Sequence, residues 1–366
     1  MDEIIRLARP AILAMTPYSS ARTEGLQRDV RIHLDANENP YPPYPGTDDL
    51  VGLNRYPMSQ PPHLLDLFSD RFGVARDQLL FSRGADEAID LLVRGFCAEG
   101  RDAVILTPPT FAMYSHAAQV QGVEILEVPL TAGDFQLDVD GIAAAHASAA
   151  GAKLVFVCSP NNPTGNLLAR HDVLRLARAL FGKALVVVDE LYLDYSGAES
   201  LATAIGDHAN IVVLRSMSKE YSLAGERFGI TIAHPAVIGI LGRMLAPYPL
   251  AQTTIQAVTA VMTPDGMRYA KARIQTIVDE RERLAKAFDA SPAVRRVFPS
   301  DANFLLVRVG EPQRLLAMME DTGIKIRDRS TLPGAEGSVR ISVGTPREND
   351  EMLVVFERYA AQVASA

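Results

Sequence analysis

From about Ala75 to about Leu245, short apolar runs alternate with stretches whose apolar residues recur every three or four positions. The runs at 79–82, 103–107, 124–129, 153–158, 184–189, 211–215 and 229–233 predict strands. Several are apolar without alternation, which predicts burial on both faces of a sheet. Between them Ile89, Leu92, Val93 and Phe96 recur at helical spacing before Gly100, and Val173, Ala177, Leu180 and Phe181 do so before Gly182. This alternation predicts a mostly parallel sheet covered by helices.

The pattern changes after Pro247-Tyr248-Pro249. A charged amphipathic stretch over about 267–288 leads to a strand at 303–309 and a helix near 312–322. A strand pair near 325–327 and 338–343 follows, then a last helix from Glu348. The expected fold class is therefore α/β, with a large sheet-bearing domain over 35–245. A smaller α+β domain is expected from 1–34 and 246–366. The proline-rich stretch 39–46 reads as an extended loop.

Composition narrows the function. At 366 residues, 48% hydrophobic and 22% charged, the chain reads as an ordinary soluble globular protein. A net charge of −8 argues against a nucleic-acid partner, so an anionic substrate would need local arginines. The start shows no basic segment followed by an apolar one, and the longest apolar runs fall far short of a membrane span. Cys97 and Cys158 sit in apolar segments, which fits a reducing cytoplasm, and the seven histidines form no metal motif.

Five clusters carry chemistry, each just after an expected strand. Ser216-Met-Ser-Lys219 with Gly225-Glu-Arg227 brings hydroxyls, an amine and a guanidinium into one loop. Val188-Asp189, with Tyr192 three residues on, puts a carboxylate at the end of a buried strand, where it needs a cationic partner. Asn162 lies in the strand-to-helix turn Ser159–Gly165, where ligands of α/β sheets bind. Gly84, Ala85 and Asp86 open a helix whose first N–H groups form an anion site, and Tyr114 follows another strand and could stack on a ring. Each cluster also has a bland reading as turn, cap, surface ion pair or core aromatic. Together they supply what pyridoxal phosphate (PLP) needs: an amine for its aldehyde, a carboxylate for its pyridinium, donors for its phenolate and a cradle for its phosphate.

This order resembles the fold-type I PLP-dependent aminotransferases of class I/II, over nearly the whole chain. Within them it is similar to the histidinol-phosphate aminotransferase family, through Thr16-Pro-Tyr-Ser-Ser-Ala-Arg22, Leu34-Asp-Ala-Asn-Glu-Asn-Pro40, Asn54-Arg-Tyr-Pro57, Ser82–Glu87, Ala246-Pro-Tyr-Pro-Leu250, Ser300-Asp-Ala-Asn-Phe304 and Val339-Arg-Ile-Ser-Val-Gly-Thr345. The resemblance implies that Lys219 forms the Schiff base and moves the proton. It implies that Asp189 pairs with the ring nitrogen and that Asn162 and Tyr192 hold the phenolate. Ser216, Ser218, Arg227 and the 84–86 backbone would hold the phosphate. Tyr56 would reach the cofactor of a partner subunit in a homodimer. Arg340 would take the acidic end of the substrate, with Arg327, Tyr18 and Asn37 in the same pocket. The implied reaction is transamination between L-histidinol phosphate and 2-oxoglutarate in histidine biosynthesis. Open alternatives are an aromatic or other amino-acid aminotransferase, a threonine-phosphate-decarboxylase-type PLP lyase and a silent PLP-binding regulator. Glu220 and Glu226 are two acids added to the usual run around the lysine.

Overall fold

The computed structural model describes residues 2–17, 36–41, 52–148 and 151–364. Seven strands form one sheet: β1 (Leu79–Arg83), β2 (Ala103–Leu106), β3 (Glu124–Glu127), β4 (Ala152–Cys158), β5 (Leu185–Asp189), β6 (Ile211–Ser216) and β7 (Phe228–Ala233), in the order β1-β7-β6-β5-β4-β2-β3. Only β7 runs against its neighbours, and every other pair in the sheet is parallel. The expected strands all form within about two residues of their expected bounds.

Why the strands are apolar throughout is visible in their packing. Val186 and Val188 point into one apolar layer, with Val155, Val157 and Val213. Leu185 and Val187 point into the other, with Leu154, Phe156 and Leu214. Side chains alternate across a strand, so a sheet covered on both faces needs an apolar residue at every position. The helix Gly84–Phe96 buries Ile89, Leu92, Val93 and Phe96 as their spacing predicts. The helix Arg170–Ala179 ends sooner than expected: Leu180 turns inward, whereas Phe181 lies past the helix and is exposed.

A second sheet comprises β8 (Val294–Val297), β9 (Phe304–Val309), β10 (Arg327–Asp328) and β11 (Ser338–Ser342), antiparallel throughout in the order β10-β11-β9-β8. The helices Pro264–Asp289, Pro312–Asp321 and Pro346–Ala364 bury Leu284, Phe288, Leu315, Phe356 and Tyr359 against it. The edge strand β8 escapes a pattern search because it is only four residues long, with two exposed arginines at its centre.

The described N-terminal residues pack elsewhere than grouping 1–34 with the C-terminal part suggests. Ile4, Leu7, Ala8 and Ile12 are buried in the large sheet's apolar layer, with Leu91, Phe96 and Leu241. Arg9 N–H donates to the Gly95 carbonyl at 2.9 Å, and Arg243 Nη1 donates to the carbonyls of Leu13 (2.6 Å) and Met15 (3.0 Å). Apolar residues three to four apart give this short segment a face that the helix Gly84–Phe96 can bury. No helix among the described residues is long and apolar enough to cross a membrane.

Candidate active site

Parallel strands β4, β5 and β6 deliver their carboxyl ends to one edge of the sheet, where Cys158 sits opposite Asp189 in register. The turns that follow carry Asn162, Tyr192 and Lys219 into a cleft of about 270 Å³, whose wall also includes Ala85, Asp86, Ser216, Ser218, Arg227, Arg327 and Arg340.

The Lys219 side chain makes no hydrogen bond within the described residues, and its amine lies 5.8 Å from the centre of the Tyr192 ring. Burial, then the Arg340 charge, pushes its pKa down, while Asp189 opposes the shift. Such an amine gives up its proton more readily than an exposed lysine. Asp189 is buried and has no ion-pair partner among the described residues. Its Oδ2 accepts the Tyr114 hydroxyl at 2.6 Å and its Oδ1 accepts the Leu191 N–H at 3.1 Å. Burial pushes this carboxyl up to about 6, against the pull of those two donors. Asn162 Nδ2 lies 3.4 Å from the Tyr192 hydroxyl, so the amide and phenol expected on one oxygen converge.

The anion cradle depends on two glycines. Gly84 opens its helix at φ +73°, and a Cβ there would lie 2.5 Å from Arg227 Nη2. A Cβ on Gly229 would lie 2.3 Å from the Gly84 carbonyl carbon. Only glycine at both positions lets the helix start meet β7 beside Arg227, which Asp86 Oδ2 holds at 2.9 Å. Nearby, Ser216 Oγ accepts the Ser218 N–H at 2.9 Å. An unengaged amine, a buried carboxylate lacking a cation, a converging amide and phenol, and a glycine-lined helix start fit PLP group by group.

The opposite wall comes from the second sheet. Arg340 Nη1 donates to Asn162 Oδ1, its guanidinium lies 5.2 Å from the Phe304 ring centre, and its buried Nε has no hydrogen-bond partner. Arg327 faces Arg340 directly in the β10–β11 register. Arg329 also lines the cleft.

Two residues expected at the cleft, Tyr114 and Asn37, lie elsewhere. Tyr114 is not part of the cleft wall. It is fully buried, lies parallel to Phe156 at 4.8 Å between ring centres and spends its hydroxyl on Asp189. Phe111, three residues earlier and edge-on to Tyr114, is the aromatic that lines the cleft. Tyr114, in the first turn of the helix Met113–Gln121, faces the buried side, whereas Phe111 lies before the N-cap Ala112, outside the helix, and is free to face the cleft. Asn37 is exposed and is not part of the cleft wall. Tyr18 lies outside the described residues. Tyr56 is exposed, stacked on Tyr248 at 4.3 Å, and does not line its own chain's cleft. Arg329 was missed, although its signal was present: it lies two residues after Arg327, just past β10, where its N–H still bonds the Ser338 carbonyl at 3.1 Å and the chain stays extended. Neither added acid enters the cleft. Glu226 accepts the Thr254 hydroxyl at 2.9 Å, and Glu220 faces Arg215. Cys97 and Cys158 are both free and buried, and the described residues hold no cluster able to bind a metal ion.

Residues 31–356 match the aminotransferase class I and II family, and the chain belongs to it. Curated relatives at about 40% identity include several named histidinol-phosphate aminotransferase. It is 41% identical over 359 residues to the histidinol-phosphate aminotransferase of Stenotrophomonas maltophilia, covering 97% of each chain. It is 39% identical over 358 residues to that of Pectobacterium carotovorum, covering 98% of each. The fold is shared with the histidinol-phosphate aminotransferase of Sinorhizobium meliloti, solved in complex with pyridoxal-5'-phosphate, at a TM-score of 0.79, 22% identity and 97% coverage of both chains. It is also shared with the L-threonine-O-3-phosphate decarboxylase of Porphyromonas gingivalis, at a TM-score of 0.71, 23% identity and 84% and 91% coverage.

Proposed function

We propose that the chain catalyses the PLP-dependent transamination of L-histidinol phosphate and 2-oxoglutarate to imidazole-acetol phosphate and L-glutamate, a step of histidine biosynthesis in the cytoplasm. The contact that carries this reading is the one between Arg340 and Asn162. It joins the residue suited to a substrate's acidic end to the residue suited to the cofactor's phenolate, so both ligands meet in one cleft. The relatives' shared name supports the substrate.

When bound, PLP supplies an electron sink for the pair left by the broken Cα–H bond. The chain supplies the rest. Lys219 is the covalent anchor and, once free, the base: its lowered pKa suits Nζ to take the Cα proton and return it. Asp189, ionised and supported by Tyr114, holds the pyridinium proton in place. Asn162 and Tyr192 orient the ring through its phenolate. Ser216, Ser218, Arg227 and the N–H groups at Gly84, Ala85 and Asp86 take the phosphate. Arg340 takes a carboxylate from one substrate and a phosphate from the other by the same bidentate fork.

The large unit over about 35–245 carries the cofactor residues, and the unit after 246 carries the arginines, so a substrate bridges the two. A homodimer, with Tyr56 serving the partner's site, accords with that residue's exposure in the single chain. The deciding experiment follows cofactor absorbance after mixing the holoenzyme with L-histidinol phosphate, and separately with aromatic amino acids. Fast loss of the cofactor band with histidinol phosphate alone is expected. Fast loss only with the aromatic amino acids would keep the transaminase and replace its substrate.

A further inference from the structure

We propose that Arg329 is a specificity-determining residue: with Arg327 and Arg340 it makes this wall of the cleft a seat for a dianionic phosphate monoester, resting on the reading that such a molecule is the amino donor.

Three features of the second sheet lead there. Arg327 and Arg340 are direct cross-strand partners, an arrangement in which like charges repel. Arg329 follows two residues after Arg327, half-buried, and adds a third guanidinium to the same cleft. None of the three has a carboxylate within ion-pair distance among the described residues. The acid between them, Asp328, is turned away onto Gln313 (2.9 Å) and the Ser330 hydroxyl (2.6 Å). The carboxylates that do line the cleft, Asp86 and Asp189, are engaged on the other wall by Arg227 and Tyr114. Arg329 itself donates from Nη1 to the Asp328 carbonyl at 2.8 Å, which fixes the guanidinium and leaves further N–H groups free. Burial and the charges of Arg340 and Arg327 hold its pKa down, which expresses how poorly the trio tolerates having no anion.

A carboxylate carries one charge and two oxygens, and the single fork of Arg340 matches it. A phosphate monoester carries roughly −1.5 to −2 charge and three acceptor oxygens, so it has use for further guanidiniums. Discrimination between the two substrate ends therefore falls to the arginines beyond Arg340.

The test compares holoenzymes carrying Arg329→Gln and Arg329→Lys with wild type. KM and kcat are measured for L-histidinol phosphate and for L-glutamate, together with inhibition of the glutamate half-reaction by inorganic phosphate. Arg329→Gln should raise KM for the phosphorylated donor on the order of ten-fold more than KM for glutamate, with kcat less affected. It should weaken phosphate inhibition by a similar factor. Arg329→Lys, keeping the charge without the fork, should recover part of both losses. Equal losses for both donors, a larger loss for glutamate, or unchanged phosphate inhibition would overturn the proposal. If wild type itself fails to use L-histidinol phosphate, the substrate reading falls. The ratio of phosphate inhibition between wild type and Arg329→Gln still decides the role of Arg329.

Discussion

Asp189 and Glu220 are both buried carboxylates close to Lys219 in the fold, yet only Asp189 faces the cleft. Its two oxygens each accept from a neutral donor, and burial pushes it up only to about 6. Glu220 points the other way, into a cluster centred on the Arg215 guanidinium. Its Oε1 lies 3.6 Å from Arg215, which also faces Glu190 at 3.6 Å and bonds Asp194, while its Oε2 has no hydrogen-bond partner. Three acids share Arg215, with Arg71 reaching only Asp194 at 3.5 Å, and Glu220 is pushed up to about 8 by burial, with Asp194 adding to the push. Burial acts on both groups. Neutral donors let Asp189 keep its charge for a cationic ligand, whereas competition for Arg215 leaves Glu220 holding a proton.

The largest effect should come from removing the charge on the cleft side. Asp189→Asn keeps the shape but cannot hold a pyridinium proton, and kcat should fall on the order of 10²–10³. Single-turnover absorbance with a saturating donor measures this directly. Retention of kcat within a few-fold would mean that the carboxylate is a structural acid, as Glu220 is.

How much of this was legible beforehand follows the same division. Lys219, Asp189, Asn162 and Tyr192 could be read because each follows a buried strand, and strand ends in a parallel sheet share one edge. Two kinds of information were lost. The direction of a side chain within a short run decided between Phe111 and Tyr114, and neither composition nor spacing resolves one helical turn. Partnerships across long separations were also hidden. Glu220 is adjacent to the lysine in sequence, but Arg215, Glu190 and Asp194 capture it. Arg340 reaches Asn162 from 178 residues away. The N-terminal segment shows the same limit: Ile4, Leu7 and Ile12 advertise an apolar face without saying which layer covers it.

A smaller, pH-dependent effect should separate the donors from the packing around Asp189. In Tyr114→Phe the stack on Phe156 survives, but the hydroxyl that favours the ionised carboxylate is gone. The Asp189 pKa then rises above about 6. If the charged form holds PLP as proposed, affinity is lost as pH falls through that pKa. The acid limb of PLP binding should therefore move up by on the order of one pH unit. Titration of the apo-protein with PLP between pH 5 and 8 reads the limb. A uniform loss of affinity with an unmoved limb would assign Tyr114 to packing alone.

The smallest effect belongs to the other carboxylate and concerns stability. Glu220 has a folded-state pKa of about 8 against an ordinary value of 4.5. The folded chain therefore holds a proton that the unfolded chain releases between those limits. That contribution is fully present below about pH 4.5 and is lost as pH rises through 8. Glu220→Gln mimics the protonated form at every pH. It should match wild type at pH 5 and exceed it at pH 9 by on the order of 1 kcal/mol, since one pKa unit corresponds to about 1.4 kcal/mol and relaxation around Arg215 absorbs part of the shift. Turnover should stay near wild type, because the side chain does not line the cleft. Urea midpoints of the holoenzymes at the two pH values give the comparison. An equal loss of stability at both would show that Glu220 is ionised and a full partner of Arg215. The two carboxylates would then differ only in which cation they face.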